Sequence, residues 1–138
     1  MIRVALVDDQ EMFRTGIAMV LDSQPDLAVV GQAADGDQVP ALVADVHPDV
    51  VVMDVRMNRV DGVTATRRLH ETLGDAAPRV LVLTTFDLDE AAVAAIEAGA
   101  SGFVLKDARP ELLLAAVRGV RNRSSSVRVR PPAASTTS

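Results

Sequence analysis

The chain has 138 residues, 49% hydrophobic and 24% charged, which suits one globular domain with a sizeable core. It contains no cysteine, which excludes disulfides, thiolate zinc sites and cysteine nucleophiles and fits a reducing, cytoplasmic setting. The net charge of −5 is uneven: all nineteen acids lie at or before Glu111, while five of the fourteen basic groups are arginines from Arg118 onward. An acidic body of this kind is a poor nucleic-acid surface by itself.

Ile2–Val7 is a short apolar run closed by Asp8 and Asp9, and reads as a buried strand. Glu11–Leu21 has apolar residues at helical spacing. A turn at Pro25-Asp26 precedes a second strand over Leu27–Ala33. Asp37–Val46 predicts a helix with Val39, Leu42, Val43 and Val46 on one face, and Pro40 falls near its first turn, where proline is tolerated. Val50–Met53 predicts a third strand ending at Asp54. A loop over Asn58–Gly62 and a helix over Val63–Leu73 follow. Val80–Leu83 is a fourth strand ending at Thr84. Asp89–Ala98 is an Ala-rich helix with Gly99 as its C-cap. Phe103–Leu105 is a fifth strand ending at Lys106, and Pro110 opens a helix over Glu111–Val120.

Strand and helix therefore alternate five times. Continuous apolar strands predict a parallel sheet covered on both faces, and right-handed crossovers make it a doubly wound (βα)5 three-layer α/β sandwich. The pattern leaves the strand order open. Residues 1–120 form the predicted domain. Residues 121–138, rich in Arg, Ser, Pro and Thr, read as a flexible tail or linker remnant. No apolar run is long enough for a membrane helix, and the N-terminus lacks the pattern of a signal peptide.

In an open α/β sheet the ligand crevice lies beyond the carboxyl ends of the strands. The fold thus gathers Asp8, Asp9, Asp54, Thr84 and Lys106 at one edge. Crowded carboxylates raise one another's pKa values, and a hard cation relieves that cost. Oxygen ligands without Cys, and two His far from these positions, favour Mg²⁺ over zinc, with Mn²⁺ as an alternative. Asp8-Asp9 as a helix cap, and Thr84 as a turn hydroxyl, are the plainer readings. Lys106 is the only lysine beside thirteen arginines, which marks a place where a compact ammonium is wanted. The matching chemistry is phosphoryl transfer onto Asp54. Asp9, Asp54 and a backbone carbonyl would hold the cation, with Asp8 assisting partly through water. Lys106 and Thr84 would bind phosphoryl oxygens. The acyl phosphate is reactive, so water reverses the modification.

The segments VALVDDQEMFRTGI, DVVVMDVRMNRVDG, VLVLTTFD and GASGFVLKD together resemble the receiver domain of two-component response regulators, in the subfamily that carries a LuxR-type helix-turn-helix. The resemblance covers roughly residues 1–120. It implies a flavodoxin-like strand order 2-1-3-4-5, Asp54 as phosphoacceptor, Asp8 and Asp9 as the acidic pair, and the Arg56 carbonyl completing the metal shell. It also implies Thr84 as switch hydroxyl, Phe103 as switch aromatic, Lys106 as the site lysine, and a sensor histidine kinase as donor. Homodimerisation is expected from paired DNA half-sites. DNA would be bound only through a C-terminal effector domain that these residues do not include. Phe86 either shields the site or lines the output face.

Two departures stand out. The loop after Asp54 reads Met57-Asn58 where the family usually has Met-Pro, which predicts a looser loop. The chain ends in the basic tail instead of a second helical unit, so it is either a fragment or a stand-alone receiver. The competing readings are a pseudo-receiver that binds partners without phosphorylation, and a hydrolase of the haloacid-dehalogenase type. The latter wants an acid two residues after the nucleophile, where this chain has Arg56.

Overall fold

The computed structural model describes residues 1–85 and 90–122. Strands β1 (Ile2–Val7), β2 (Leu27–Ala33), β3 (Val50–Asp54), β4 (Arg79–Thr84) and β5 (Gly102–Leu105) alternate with helices α1 (Glu11–Asp22), α2 (Val39–Val46), α3 (Gly62–Leu73), α4 (Glu90–Glu97) and α5 (Pro110–Arg121). The strands form one parallel sheet in the order β2-β1-β3-β4-β5. This is the doubly wound fold expected from the alternation, in the order implied by the resemblance.

The continuous apolar runs belong to strands covered on both faces. Every residue of β3 is buried. Alternate side chains serve two cores. On one face Val4, Leu6, Val52 and Leu81 meet Leu21 of α1 and Leu113 and Val117 of α5. On the other, Val7, Val51, Met53 and Val82 meet Val43 of α2, Leu69 of α3 and Ala95 of α4. Each fully buried Val or Leu contributes about 1.5–3 kcal/mol relative to exposure.

Element ends differ from the sequence reading for local reasons. The helix expected from Asp37 begins instead with a 3₁₀ turn over Gly36–Gln38, and α2 proper starts at Val39. Pro40 has no N–H for the Gly36 carbonyl, so the first turn closes through Val39 N–H to Gly36 C=O. Helix α3 begins at Gly62, with the Asp61 side chain accepting the Thr64 N–H at 2.7 Å. Gly99 ends α4 as expected. It takes φ +118, and the bonds Gly99 N–H to Ile96 C=O (3.0 Å) and Ala100 N–H to Ala95 C=O (2.9 Å) close the end. The expected start of that helix at Asp89 lies outside the described residues, as do Phe86 and residues 123–138.

At the chain's far end Arg118 and Arg121 lie on α5. Arg121 therefore continues the last helix by one residue beyond the expected domain limit. Arg118 forks onto Asp26, with Nε to Oδ2 at 2.8 Å and Nη2 to Oδ1 at 2.9 Å. This ties α5 to the turn before β2.

Candidate functional site

The sheet register brings the polar strand ends together. Val7 pairs with Met53, so Asp8 follows β1 at the level of Asp54 on β3. Asp54 pairs with Leu83, and Thr84 pairs with Leu105. Thr84 and Lys106 thus stand one step further along the same edge. They border an open crevice of about 530 Å³ whose walls include Asp9, Gln10, Phe13, Asp54, Arg56, Thr84 and Lys106.

Asp8 is 2% exposed and Asp54 6%. Together with the half-buried Asp9 they offer carboxylate oxygens that all lie within 4.8 Å of one another. Asp8 Oδ1 accepts the Gln10 N–H at 2.8 Å. This is the cap-like contact of the plainer reading, and it uses one oxygen. The other, Oδ2, is enclosed and accepts no hydrogen bond from the described residues, although Lys106 Nζ stands 3.0 Å away as an ion-pair partner. The two facts differ because an ion pair needs proximity alone, whereas a hydrogen bond also needs direction.

Asp54 Oδ1 accepts the Arg56 N–H at 3.3 Å, and Oδ2 lies 3.4 Å from Lys106 Nζ. Burial pushes the Asp54 carboxyl above its ordinary pKa and the neighbouring Asp8 charge adds to this, while Lys106 and the Arg56 N–H pull the other way. An enclosed carboxylate oxygen without a hydrogen bond, inside an all-oxygen acidic cluster, fits a hard divalent cation.

The backbone after Asp54 is tightly framed. Gly62 N–H donates to Val55 C=O at 2.8 Å, and a Cβ at Gly62 would lie 2.4 Å from the Asp54 carbonyl oxygen. A side chain there would displace the end of β3.

A profile of the response regulator receiver domain matches residues 4–118. The chain belongs to this family. It is similar to the transcriptional regulatory protein LiaR of Bacillus subtilis, with 42% identity over 118 residues that cover 86% of this chain and 55% of LiaR. It is also 42% identical over 120 residues to the DNA-binding transcriptional activator DevR/DosR of Mycobacterium tuberculosis, covering 87% of this chain and 54% of that protein. This receiver chain thus spans about half the length of the curated relatives it matches. Among solved structures, a LuxR-family two-component response regulator from Aurantimonas sp. SI85-9A1 superposes with a TM-score of 0.85 at 34% identity, covering 97% of this chain and 93% of that one.

Within this receiver, the crevice and the acidic cluster behind it bring together Asp8, Asp9, Asp54, Thr84 and Lys106, the residues gathered at one edge by the strand reading, and Arg56, which the resemblance added. Phe103 does not border the crevice. On β5 it pairs with Val82 of β4 and packs, half-buried, against the core beneath α2, α3 and α4. His47 ends α2 and His70 lies on α3, away from the crevice, as expected.

Three residues that sequence reasoning did not single out also frame the receiver's site. Gln10 and Phe13, from the start of α1, surround Lys106: Gln10 Oε1 accepts from Nζ at 2.7 Å, and Nζ lies 4.4 Å from the Phe13 ring centroid. Asp35, buried after β2, accepts the Arg59 N–H at 2.9 Å and the Val60 N–H at 2.8 Å. Gly36 N–H returns a bond to Val60 C=O at 3.1 Å. The loop expected to be loosened at Asn58 is thereby fastened one residue later. Burial pushes the Asp35 pKa up, but the N–H groups of Arg59, Val60 and Asp37 outweigh it and hold the carboxyl below its usual range. The Asp35-Gly36 dipeptide is a turn signal, but nothing local marks it as an anchor.

Proposed function

We propose that this chain accepts a phosphoryl group on Asp54 from a sensor histidine kinase, with Mg²⁺ (or Mn²⁺) bound beside it, and so regulates transcription. The observation that carries the reading is the buried Asp54 carboxylate. It faces the crevice between an enclosed Asp8 oxygen without a hydrogen bond and the Lys106 ammonium.

Asp8, Asp9, Asp54 and the Arg56 carbonyl would hold the cation. When bound, it supplies positive charge that neutralises phosphoryl oxygens. An Asp54 carboxylate oxygen attacks phosphorus in line. The new O–P bond forms as the bond from phosphorus to the donor breaks, and the donor leaves with that electron pair. Lys106 moves its ammonium from shared contact with Asp8 and Asp54 to an equatorial phosphoryl oxygen. Thr84, 2% exposed at the end of β4, turns its hydroxyl to another oxygen. Phe103, two strand positions before Leu105, the partner of Thr84, repacks into the space beneath α4. That two-state repacking alters the α4–β5 surface. Attack of water on the acyl phosphate resets the domain.

Residues 1–120 form the signalling unit in this reading, and the basic segment from 121 onward leads toward an effector. Similarity to transcriptional regulators supports DNA binding through a C-terminal domain, with the receiver acting as a homodimer and in the cytoplasm. Among the described residues no helix is long and apolar enough to cross a membrane.

The test is intact-protein mass after incubation with Mg²⁺ and acetyl phosphate, beside an Asp54→Ala control. A Mg²⁺-dependent gain of about 80 Da, absent in the control, is the expected result. No gain in folded, Mg²⁺-binding protein, either with acetyl phosphate or with a range of histidine kinases, would overturn it in favour of a phosphorylation-independent interaction module.

A further inference from the structure

We propose that Gln10 is a positioning residue for phosphoryl transfer: its side-chain oxygen holds the Lys106 ammonium against the acceptor carboxylate before the donor arrives. The inference rests on the reading of Asp54 as phosphoacceptor and deepens it by naming what places the lysine.

A lysine ammonium is a compact charge on a flexible stem, with three N–H donors and about 2 kcal/mol of rotamer entropy to lose. Something must hold it if it is to meet phosphoryl oxygens without delay. Among the described residues, Lys106 Nζ has three oxygen neighbours: Gln10 Oε1 at 2.7 Å, Asp8 Oδ2 at 3.0 Å and Asp54 Oδ2 at 3.4 Å. Its shortest contact is therefore with the neutral amide. The Phe13 ring, one helical turn on from Gln10, covers another side of the ammonium at 4.4 Å from its centroid. The first turn of α1 thus forms a seat for a residue 96 positions away.

The placement of Gln10 is unusual for where it stands. It occupies the N-cap of α1, where side chains commonly accept a backbone N–H of the first turn. Its side chain makes no such bond. Its own backbone N–H goes to Asp8 Oδ1 at 2.8 Å, which fixes its main chain to the acidic cluster and leaves the amide to reach Lys106. Because an ammonium only donates, the oxygen of the amide must be the end that faces it.

The neutrality of the group has a reason. Asp8, Asp9 and Asp54 already crowd the crevice. A fourth acid would compete with the acceptor for the ammonium and add repulsion. The amide oxygen instead gives Nζ a neutral third partner beside Asp8 and Asp54, which keeps the charge at the crevice without adding a carboxylate.

The sequence contains one lysine, so ¹⁵N-lysine labelling yields a single side-chain ammonium signal. The experiment compares that signal in the unphosphorylated full chain with the rate of Mg²⁺-dependent phosphorylation by acetyl phosphate. Wild type, Gln10→Leu and Gln10→Glu are measured, with amide spectra to confirm folding. Gln10→Leu removes the acceptor at an exposed position. It is expected to shift or broaden the ammonium signal into exchange and to slow phosphorylation about 5- to 10-fold. Gln10→Glu keeps an acceptor oxygen at the same reach and is expected to restore a sharp signal. An unchanged signal and rate in Gln10→Leu overturns the proposal. So does, in Gln10→Leu, a changed rate with an unmoved signal or a changed signal with an unmoved rate, and so does a signal that Gln10→Glu does not restore, whatever rate the added charge gives that variant. Wild type that takes no phosphoryl group overturns the parent reading of Asp54 and this inference with it, whereas normal wild type beside a normal Gln10→Leu overturns this inference alone.

Discussion

Asp35 and Val60 are joined by a 2.8 Å bond from the Val60 N–H to Asp35 Oδ1, across the gap between the turn after β2 and the loop after β3. The second oxygen takes the Arg59 N–H. The loop that leads from Asp54 to α3 is thus held by a carboxylate on a different crossover.

Replacing Asp35 by Ala leaves those two N–H groups without their acceptor. Charge-assisted bonds of this kind contribute about 1.5–3 kcal/mol each at most, and water reaches part of the loop. We expect a net loss of about 2–4 kcal/mol, read as a lower urea midpoint with an unchanged m-value. Because the folded Asp35 pKa is depressed, its contribution is fully present above the ordinary carboxylate pKa of about 3.9. It fades as pH falls below that value through the folded pKa. The pH dependence of wild-type stability in acid should therefore flatten in Asp35→Ala, which urea titrations at stepped pH would detect.

Lys106→Ala removes the ammonium that faces Asp54 Oδ2 at 3.4 Å. Loss of one preorganised donor at developing charge typically costs about 10²–10³ in rate. Phosphorylation by acetyl phosphate should slow by that order while the fold survives, as followed by mass spectrometry over time. Lys106→Arg should not restore the rate. The planar guanidinium is too broad for a seat closed by the Phe13 ring and the Gln10 amide.

Much of this could be read in the sequence, for a physical reason. A buried parallel strand needs an unbroken apolar run, so β1, β3 and β4 announce themselves, and the residue that ends each run lies on the site edge. Asp8, Asp54, Thr84 and Lys106 are legible because the sheet aligns strand ends. Asp35 is not, since its partners are backbone N–H groups 24 and 25 residues away that carry no side-chain signature. Gln10 is equally silent: its partner is 96 residues on, and contact depends on β1 and β5 being at fixed places in the sheet. The missed 3₁₀ turn before α2 is a local error, set by the N–H that Pro40 lacks. Phe103 shows the limit of position in a strand. Its place on β5 was readable, but which core it enters depends on the sheet's pleat.

Thr84→Ala should separate phosphorylation from its consequence. Asp54, the rest of the acidic cluster and Lys106 are untouched, so the proposed mass gain should persist. The hydroxyl that would follow the phosphoryl group is gone, and with it the bias on Phe103. Amide shifts at Gly102–Leu105 on phosphorylation should shrink to a small fraction of those in wild type, measured by two-dimensional NMR. Equal shifts in the two proteins would remove Thr84 from the switch.

Asp54→Asn gives a test of opposite sign to Asp35. Burial and the Asp8 charge raise the folded Asp54 pKa. Between the unfolded and folded pKa values the native state holds the extra proton, so stability contributed by this group falls as pH rises through that window and stays low above it. At neutral pH the ionised Asp54 is therefore a strain on the cation-free protein. Neutral Asn at the same volume relieves it, and the variant should unfold at a higher urea concentration than wild type in EDTA, with the difference vanishing in acid. Mg²⁺ should reverse the ranking. A ligand bound to the native state alone stabilises by about 2.7 kcal/mol at one hundred times its Kd, and Asp54→Asn, having lost a cluster carboxylate, should gain much less. Urea melts of both proteins, with EDTA and with saturating Mg²⁺, read all four corners of this cycle. A variant less stable than wild type in EDTA would mean that the pairing of Asp54 with Lys106 outweighs the repulsive cluster, and one that gains as much from Mg²⁺ would remove Asp54 from the cation's ligands.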